Sequence, residues 1–208
     1  MEQKGMYDVP AIVSKIKEVT GVEKVTYSGY SQGSTIMFYG LASQVEEEFF
    51  ADNVNAFIGI APCVILPFWK GNNKRKARRE WLATDWLVDD EFPLLLGENF
   101  DHDRYCEIAS PGMCDELKYE MWFGSGSIDT RSYNQYFMNS YANRLQAYAE
   151  NFDDPTKTET ELYDISEIDK VPVYVINAEF DGDCETPADF LTMMKDVPSF
   201  KDQTVLAD

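Results

Sequence analysis

Apolar residues at the start of the chain recur with helical spacing and then give way to short apolar runs. The first periodic segment predicts a helix that Asp8 can cap and that Gly21 ends; its apolar positions are Val9, Ile12, Val13, Ile16 and Val19. "VEKVTY" (22–27) predicts a strand, because β-branched and aromatic residues pack well on a pleated surface. A second helix is predicted directly after "SGYSQG".

The next apolar run, "VNAFIGIA" (54–61), ends at Pro62 and is typical of a buried parallel strand. The order helix, strand, helix, strand predicts an α/β sheet covered by helices. The same pattern returns with "VPVYVI" (171–176), the acidic stretch "NAEFDGD", and a helix that Thr186 caps. We therefore expect 22–28, 54–61 and 171–176 to be adjacent parallel strands.

The segment between these strands breaks the pattern and is rich in aromatic residues. It predicts short helices and loops, either as extra core packing or as a cap over the strand ends that shapes an apolar pocket. We favour the cap, because the α/β pattern resumes after it. The predicted organisation is a core at 1–61, a mostly helical cap at 62–150, and a second core part at 151–208.

Composition narrows the classes of partner. The 208 residues include 44% hydrophobic residues and carry a formal charge of −19, which argues against nucleic acid and anionic membrane surfaces as partners. The basic stretch 70–79 is typical of a solvated face. No apolar run reaches the ~18 residues of a membrane span, and the opening residues lack the apolar segment of a secretory signal. Nothing in the sequence indicates a metal or another cofactor.

Two cysteines, Cys106 and Cys114, lie close in sequence with Pro111 and Gly112 between them. This spacing makes a local disulfide sterically plausible.

The main candidate for chemistry is Ser31, which lies in the G-x-S-x-G pattern of Gly29 to Gly33. The pattern falls between a predicted strand and a predicted helix, where a nucleophilic serine is held at a sharp turn. The two glycines leave room for strand and helix to approach, and the Gln32 N–H at the helix start is free to bind an oxyanion. The alternative is an ordinary glycine-rich turn with a solvated serine.

These stretches resemble the acid lipases, the lysosomal, gastric and related neutral-lipid hydrolases of the α/β-hydrolase superfamily. "YDVPAIVSKIKEVTGVEKVTYSGYSQGSTIMFYGLA" is similar to that family's nucleophile region, and "FIGIAPCV" to its next strand. "YDISEIDKVPVYVINAEFDGDCETPADF" is similar to the segment with the acid of the catalytic triad, which implies that role for Asp181. Some members carry a cap disulfide where Cys106 and Cys114 fall. The resemblance also implies a secreted or lysosomal/vacuolar location.

Two features depart from the family. Its first strands and its His-Gly oxyanion loop are absent from this chain, and no histidine follows Asp181. The one histidine, His102, lies in the predicted cap, where an exposed loop position is expected. The resemblance thus implies an interior fragment of a lipase, or a degenerate copy, with little activity as it stands.

The function implied is a serine hydrolase that cleaves neutral-lipid carboxylic esters by Ser-His-Asp acyl transfer, with Ser31 and Asp181 in the triad. Two alternatives stay open. One is a catalytically inactive lipid-binding paralogue, and the other is an α/β hydrolase of small soluble esters.

Overall fold

The computed structural model describes residues 1–43, 47–65, 94–95, 128–149, 160–179 and 186–207. The chain divides into two compact units, one formed by Met1–Pro67 with Met138–Asp208 and the other by Phe68–Phe137. The first unit contains the sheet and the predicted nucleophile.

Five helices and six strands are described, together with a π-helical turn at Lys4–Asp8 and a 3-10 turn at Ile165–Glu167. In chain order they are α1 (Val9–Thr20), β1 (Val25–Tyr30), α2 (Gln32–Ala42), α3 (Glu47–Asn53), β2 (Val54–Ile60), β3 (Leu94–Leu95), β4 (Ile128–Asp129), α4 (Thr130–Ala142), β5 (Val173–Ala178), α5 (Pro187–Met194) and β6 (Phe200–Leu206).

The first unit is built on a four-stranded parallel sheet of order β1-β2-β5-β6. The predicted parallel sheet flanked by helices is confirmed. Strand β5 begins two residues later than the sequence predicts, because Pro172 has no N–H to donate to the sheet. Strand β2 lies between β1 and β5, so Tyr30 is level with Ile60, and Ile60 in turn with Ile176.

One face of the sheet is covered by α2 and α5. Phe38 of α2 packs edge-on against Phe57 of β2, with ring centroids 5.1 Å apart. Phe190 of α5 lies 6.2 Å from Phe38 and is fully buried. Helix α5 begins as predicted, with the Thr186 side chain accepting a hydrogen bond from the backbone N–H of Asp189. Both helices begin at the carboxyl end of the sheet.

The start of α1 differs from the prediction. Asp8 makes no side-chain cap bond, because the backbone before it already turns helically and Asp8 itself is right-handed helical. Gly21 ends the helix with a left-handed conformation, φ 74°, as expected. Only Val9 and Val13 of the apolar positions are buried, whereas Ile12, Ile16 and Val19 are exposed.

Two buried polar contacts join distant parts of the first unit. The hydroxyl of Tyr39, fully buried in α2, donates to the Gln146 carbonyl at 3.0 Å and is bonded to the Asn139 side chain of α4. Glu47 of α3 is also buried and accepts from the backbone N–H of Asp169 at 3.1 Å. Both contacts tie α2 and α3 to segments more than a hundred residues away along the chain.

The second unit contains the antiparallel pair β3 and β4 and the beginning of α4. Most of 62–150 lies outside the described residues, so the mostly helical cap and the boundaries at 61 and 150 stay predictions. None of the helices described is long and apolar enough to cross a membrane.

Candidate functional site

Ser31 lies at the tip of a sharp turn between β1 and α2. Its backbone has φ 49° and ψ −114°, a left-handed region that residues other than glycine rarely adopt. Such a conformation costs about 1–3 kcal/mol and persists only where the surrounding structure holds it. The Ser31 N–H donates to the Ile60 carbonyl of β2 at 2.9 Å, and the Ser31 carbonyl accepts from the Ser34 N–H at 3.0 Å. The turn is thus fixed from both the sheet and the helix.

The two glycines of the pattern play different parts. A Cβ added to Gly29 would lie 2.7 Å from the backbone of Gly33 and Ser34, far inside ordinary contact. A Cβ on Gly33 would meet only the Tyr27 hydroxyl, at 3.9 Å. The close approach of strand and helix therefore requires Gly29. The expectation that both glycines are needed for space is not met at Gly33.

Side-chain hydroxyls hold the turn against its neighbours. Ser34 Oγ donates to the Gly29 carbonyl at 2.5 Å, and Tyr27 Oη donates to the Gly33 carbonyl at 3.0 Å. Burial raises the pKa of Tyr27 above its usual value, which keeps this donor protonated. Thr35 Oγ1 donates to the Cys63 carbonyl at 2.5 Å and joins α2 to the end of β2. Sequence reasoning missed these three residues, since a hydroxyl next to a G-x-S-x-G pattern has no distinctive signal.

Gln32 is the first residue of α2, so its N–H has no carbonyl of its own helix to bond. It follows Ser31 directly and therefore lies where an oxyanion donor is expected. The side-chain Nε2 of Gln32 is also buried and has no hydrogen-bond partner among the residues that the structure describes.

Ala61 is a second residue with a left-handed backbone at this edge of the sheet, with φ 42°. Its N–H donates to the Ile176 carbonyl of β5 at 2.7 Å. The positions of Ser31 and Ala61 are thus each set by a backbone bond to the neighbouring strand.

Asp181, predicted as the triad acid, lies outside the described residues, as do His102, Cys106 and Cys114. The strand that precedes Asp181 is described and ends at Ala178. Strand β2 lies between it and the strand that leads to Ser31. Two strand spacings, about 10 Å, separate β1 from β5.

The part of the chain that the structure describes contains no group of three or more His, Cys, Asp or Glu side chains able to hold a metal ion.

Similar proteins were found by sequence. The chain is 38% identical over 119 residues to Lipase lipl-3 of Caenorhabditis elegans, which is 57% of this chain and 28% of the relative. It is 35% identical over 92 residues to lysosomal acid lipase/cholesteryl ester hydrolase of Macaca fascicularis, 44% of this chain and 22% of the relative. Human Lipase member M is 33% identical over 144 residues, 68% of this chain and 32% of the relative. No protein-family model matches the chain.

Solved structures show the same fold at low sequence identity. Monoglyceride lipase from Saccharomyces cerevisiae matches 97% of this chain and 59% of its own, at a TM-score of 0.54 and 15% identity. The α/β hydrolase GrgF from Penicillium sp. sh18 matches 99% of this chain and 63% of its own, also at 0.54 and 15%. The chain spans less than a third of the curated relatives cited above. It combines an α/β-hydrolase fold with sequence similarity to lysosomal acid lipase and related lipases, which confirms the resemblance seen in its motifs.

Proposed function

We propose that this chain carries the nucleophile and acid segments of a lipase or esterase that hydrolyses carboxylic esters of neutral lipids. The observation that carries the proposal is the backbone of Ser31. A non-glycine residue is held at φ 49° between a parallel strand and a helix, with Gly29 making room for the helix behind it. This is the arrangement that exposes a serine hydroxyl at the top of an α/β-hydrolase sheet. A solvated serine in an ordinary turn has no need of such strain.

In the proposed reaction Ser31 Oγ attacks the ester carbonyl carbon and loses its proton to a histidine base. The tetrahedral oxyanion accepts a hydrogen bond from the Gln32 N–H, a type of donor worth roughly 3–4 kcal/mol to the transition state. The carbon–oxygen bond then breaks, and the alcohol leaves with the proton from the histidine. Water attacks the acyl-serine in the same manner and releases the acid.

Asp181 would orient the histidine and stabilise its charged form. The strand order supports this division of roles, because β2 separates the strands that lead to Ser31 and Asp181. In the proposed triad the imidazole would accept the proton of Ser31 Oγ on one side and bond to the Asp181 carboxylate on the other. The one histidine of the sequence, His102, precedes Asp181, whereas in the superfamily the histidine base follows the acid along the chain.

The substrate class is inferred from the relatives. One relative found by sequence bears the name lysosomal acid lipase/cholesteryl ester hydrolase. One solved structure of the same fold is a monoglyceride lipase. Tyr30 adds apolar surface next to the nucleophile, since its side chain is 72% exposed directly before Ser31. We therefore favour esters with long acyl chains over small soluble esters.

The test supplies the base from solution. The 208-residue chain is treated with a fluorophosphonate, which transfers its phosphorus to a nucleophilic serine and releases fluoride, at increasing imidazole concentration. We expect label on Ser31 that increases with imidazole and disappears in Ser31→Ala. Ser28→Ala, at an exposed serine of the same strand, is the matched control and should label like the wild type.

The possible outcomes separate the rival functions. A folded chain whose Ser31 stays unlabelled at every imidazole concentration would contradict the proposal and favour an inactive binding protein. Strong labelling without imidazole that is lost in His102→Ala would make His102 the base. Imidazole-dependent, Ser31-dependent hydrolysis of p-nitrophenyl butyrate but not palmitate would favour small soluble esters.

A further inference from the structure

Strand β1 lies at one edge of the four-stranded sheet, with β2 as its neighbour on the inner side. The Ser31 N–H bonds to the Ile60 carbonyl of β2, and the backbone groups of successive residues alternate between the two sides of a strand. The N–H and C=O groups of Thr26, Ser28 and Tyr30 therefore point away from β2. Among the residues that the structure describes, no strand pairs with them on that outer side.

This outer side lacks the features that usually protect an edge strand. Edge strands commonly carry charged side chains, a proline or a bulge, which prevent pairing with another chain. Strand β1 reads VTYSGY, without charge or proline, and its register with β2 is regular from Thr26 to Tyr30. The strand at the opposite edge, β6, exposes Lys201 and Asp202 instead. An additional strand is therefore expected at β1 and not at β6.

The sequence of β1 matches a second copy of itself in the antiparallel direction. A two-fold axis at Ser28 puts this serine opposite the same serine of the second copy, and Thr26 opposite Tyr30. These residues all point their N–H and C=O groups outward, so each pair exchanges both backbone hydrogen bonds. Their side chains are exposed on one face of the sheet, where aromatic–β-branched pairs and hydroxyl pairs stabilise antiparallel strands.

Charge also favours this edge for contact between copies. The chain carries a formal charge of −19, so two copies repel each other through their acidic surfaces. The segment 25–30 is uncharged. Exposed apolar side chains adjoin it, since Tyr30 is 72% exposed, Val19 near the end of α1 is 71% exposed, and Val22 between α1 and β1 is 44% exposed. A second copy that pairs here meets apolar surface without placing carboxylates opposite each other.

We propose that two copies of this chain associate through antiparallel pairing of residues 26–30, so that their two sheets join into one across a two-fold axis. Ser31 lies three residues from the axis, or roughly 10 Å along the strand. The two nucleophile turns are thus at opposite ends of the joined strands, roughly 20 Å apart. The association does not depend on hydrolase activity.

A cysteine at the axis tests the pairing directly. Opposite residues of a hydrogen-bonded antiparallel pair have Cα atoms about 5.5 Å apart, within the range of about 4.4–6.8 Å that a disulfide requires. Oxidation of Ser28→Cys in a glutathione redox buffer should therefore link two chains, which a non-reducing gel shows as a band at twice the mass of one chain.

The matched control is Thr26→Cys, because the substituted positions of the two copies would lie four residues apart, about 14 Å. Thr26→Cys should stay unlinked between chains. The wild type, which has four cysteines of its own, should stay unlinked as well.

Analytical ultracentrifugation measures the association without a covalent link. The wild type and Ser28→Ala should sediment as dimers, and the dimer fraction should increase with sodium chloride, which screens the charge of −19. Ser28→Lys places two ammonium groups opposite each other at the axis and should sediment as a monomer. Because Ser28 is exposed, circular dichroism should show the same fold for both variants.

Two results would overturn the proposal. One is a wild-type chain that stays monomeric at every salt concentration, which would leave this edge to a strand of a different chain. The other is a dimer in which Ser28→Cys links no better than Thr26→Cys, which would place the contact elsewhere. The comparison of the two cysteine variants decides the question even if Ser28→Lys does not fold.

Discussion

The close approach of β1 and α2 allows a sharp comparison between two glycines of one motif. We predict that Gly29→Ala destabilises the chain and that Gly33→Ala does not. A Cβ at Gly29 would lie 2.7 Å from three backbone atoms, whereas ordinary contact begins at 3.4 Å. These atoms belong to the first turn of α2, so no flexible side chain can move aside, and the helix itself must shift by about 0.7 Å.

Overpacking of this kind typically costs about 1–3 kcal/mol. In a chain of this size that corresponds to a fall in melting temperature of about 2–12 °C. At Gly33 the new methyl group has space, and replacing glycine by alanine in a helix contributes up to about 1 kcal/mol. Gly33→Ala should therefore melt at the same temperature as the wild type or up to about 4 °C higher.

The assay is thermal unfolding of the three proteins followed by circular dichroism, combined with urea titration to obtain the free energy of unfolding. Because Gly29→Ala displaces the helix that begins beside Ser31, it should also abolish the imidazole-dependent labelling of Ser31. Equal melting temperatures for the two variants would show that strand and helix separate without cost, and would refute the proposed role of Gly29. If Gly33→Ala lowered the melting temperature as much as Gly29→Ala, the conclusion that only Gly29 is needed for the close approach would be refuted.

Three further substitutions, two of them with a matched control, test polar side chains of the first unit. Tyr39→Phe removes a buried hydroxyl that is bonded to Asn139 and Gln146, and it should lower the free energy of unfolding by about 1–3 kcal/mol. Its control Tyr30→Phe changes an exposed ring and should leave the free energy of unfolding unchanged in the same urea titration. Glu47→Ala removes a buried acceptor of backbone N–H bonds and should lower the free energy of unfolding by about 1–3 kcal/mol. Its control Glu48→Ala breaks an exposed ion pair with Lys170 and should lower it by at most about 1 kcal/mol. Equal losses of stability in the two variants would contradict this ranking. Burial is the largest cause that raises the pKa of Tyr163 from 10.0 to about 12, and the nearby Glu2, Glu161 and Tyr7 add to it. Because the folded state holds the phenol proton more tightly than the unfolded state, the neutral Tyr163 side chain contributes fully to the free energy of unfolding below pH 10. This contribution is lost as the pH rises towards 12. Denaturant titrations at pH 9 and 11 should show a larger loss in the wild type than in Tyr163→Phe, and parallel losses would exclude a raised pKa.

The local signals in the sequence predicted the elements well. Apolar runs at 54–61 and 171–176 identified two buried strands, and Thr186 with Pro187 identified the start of α5. These signals depend on the conformational preferences of a few consecutive residues, and burial reinforces them. The strain at Ser31 was predictable for the same reason, since Gly29 lies within the same short stretch.

The relation between distant elements was not predictable in the same way. Hydrophobic patterns predict that β1, β2 and β5 share a sheet, but the apolar runs of β2 and β5 are alike and do not show which of the two strands lies next to β1. Their order is decided by long-range contacts, such as the Ser31 N–H bond to Ile60 and the Ala61 N–H bond to Ile176. That order puts β2 between the strands leading to the nucleophile and to the predicted acid. In the proposed reaction a histidine would connect the serine after the first of these strands to the aspartate that follows the second.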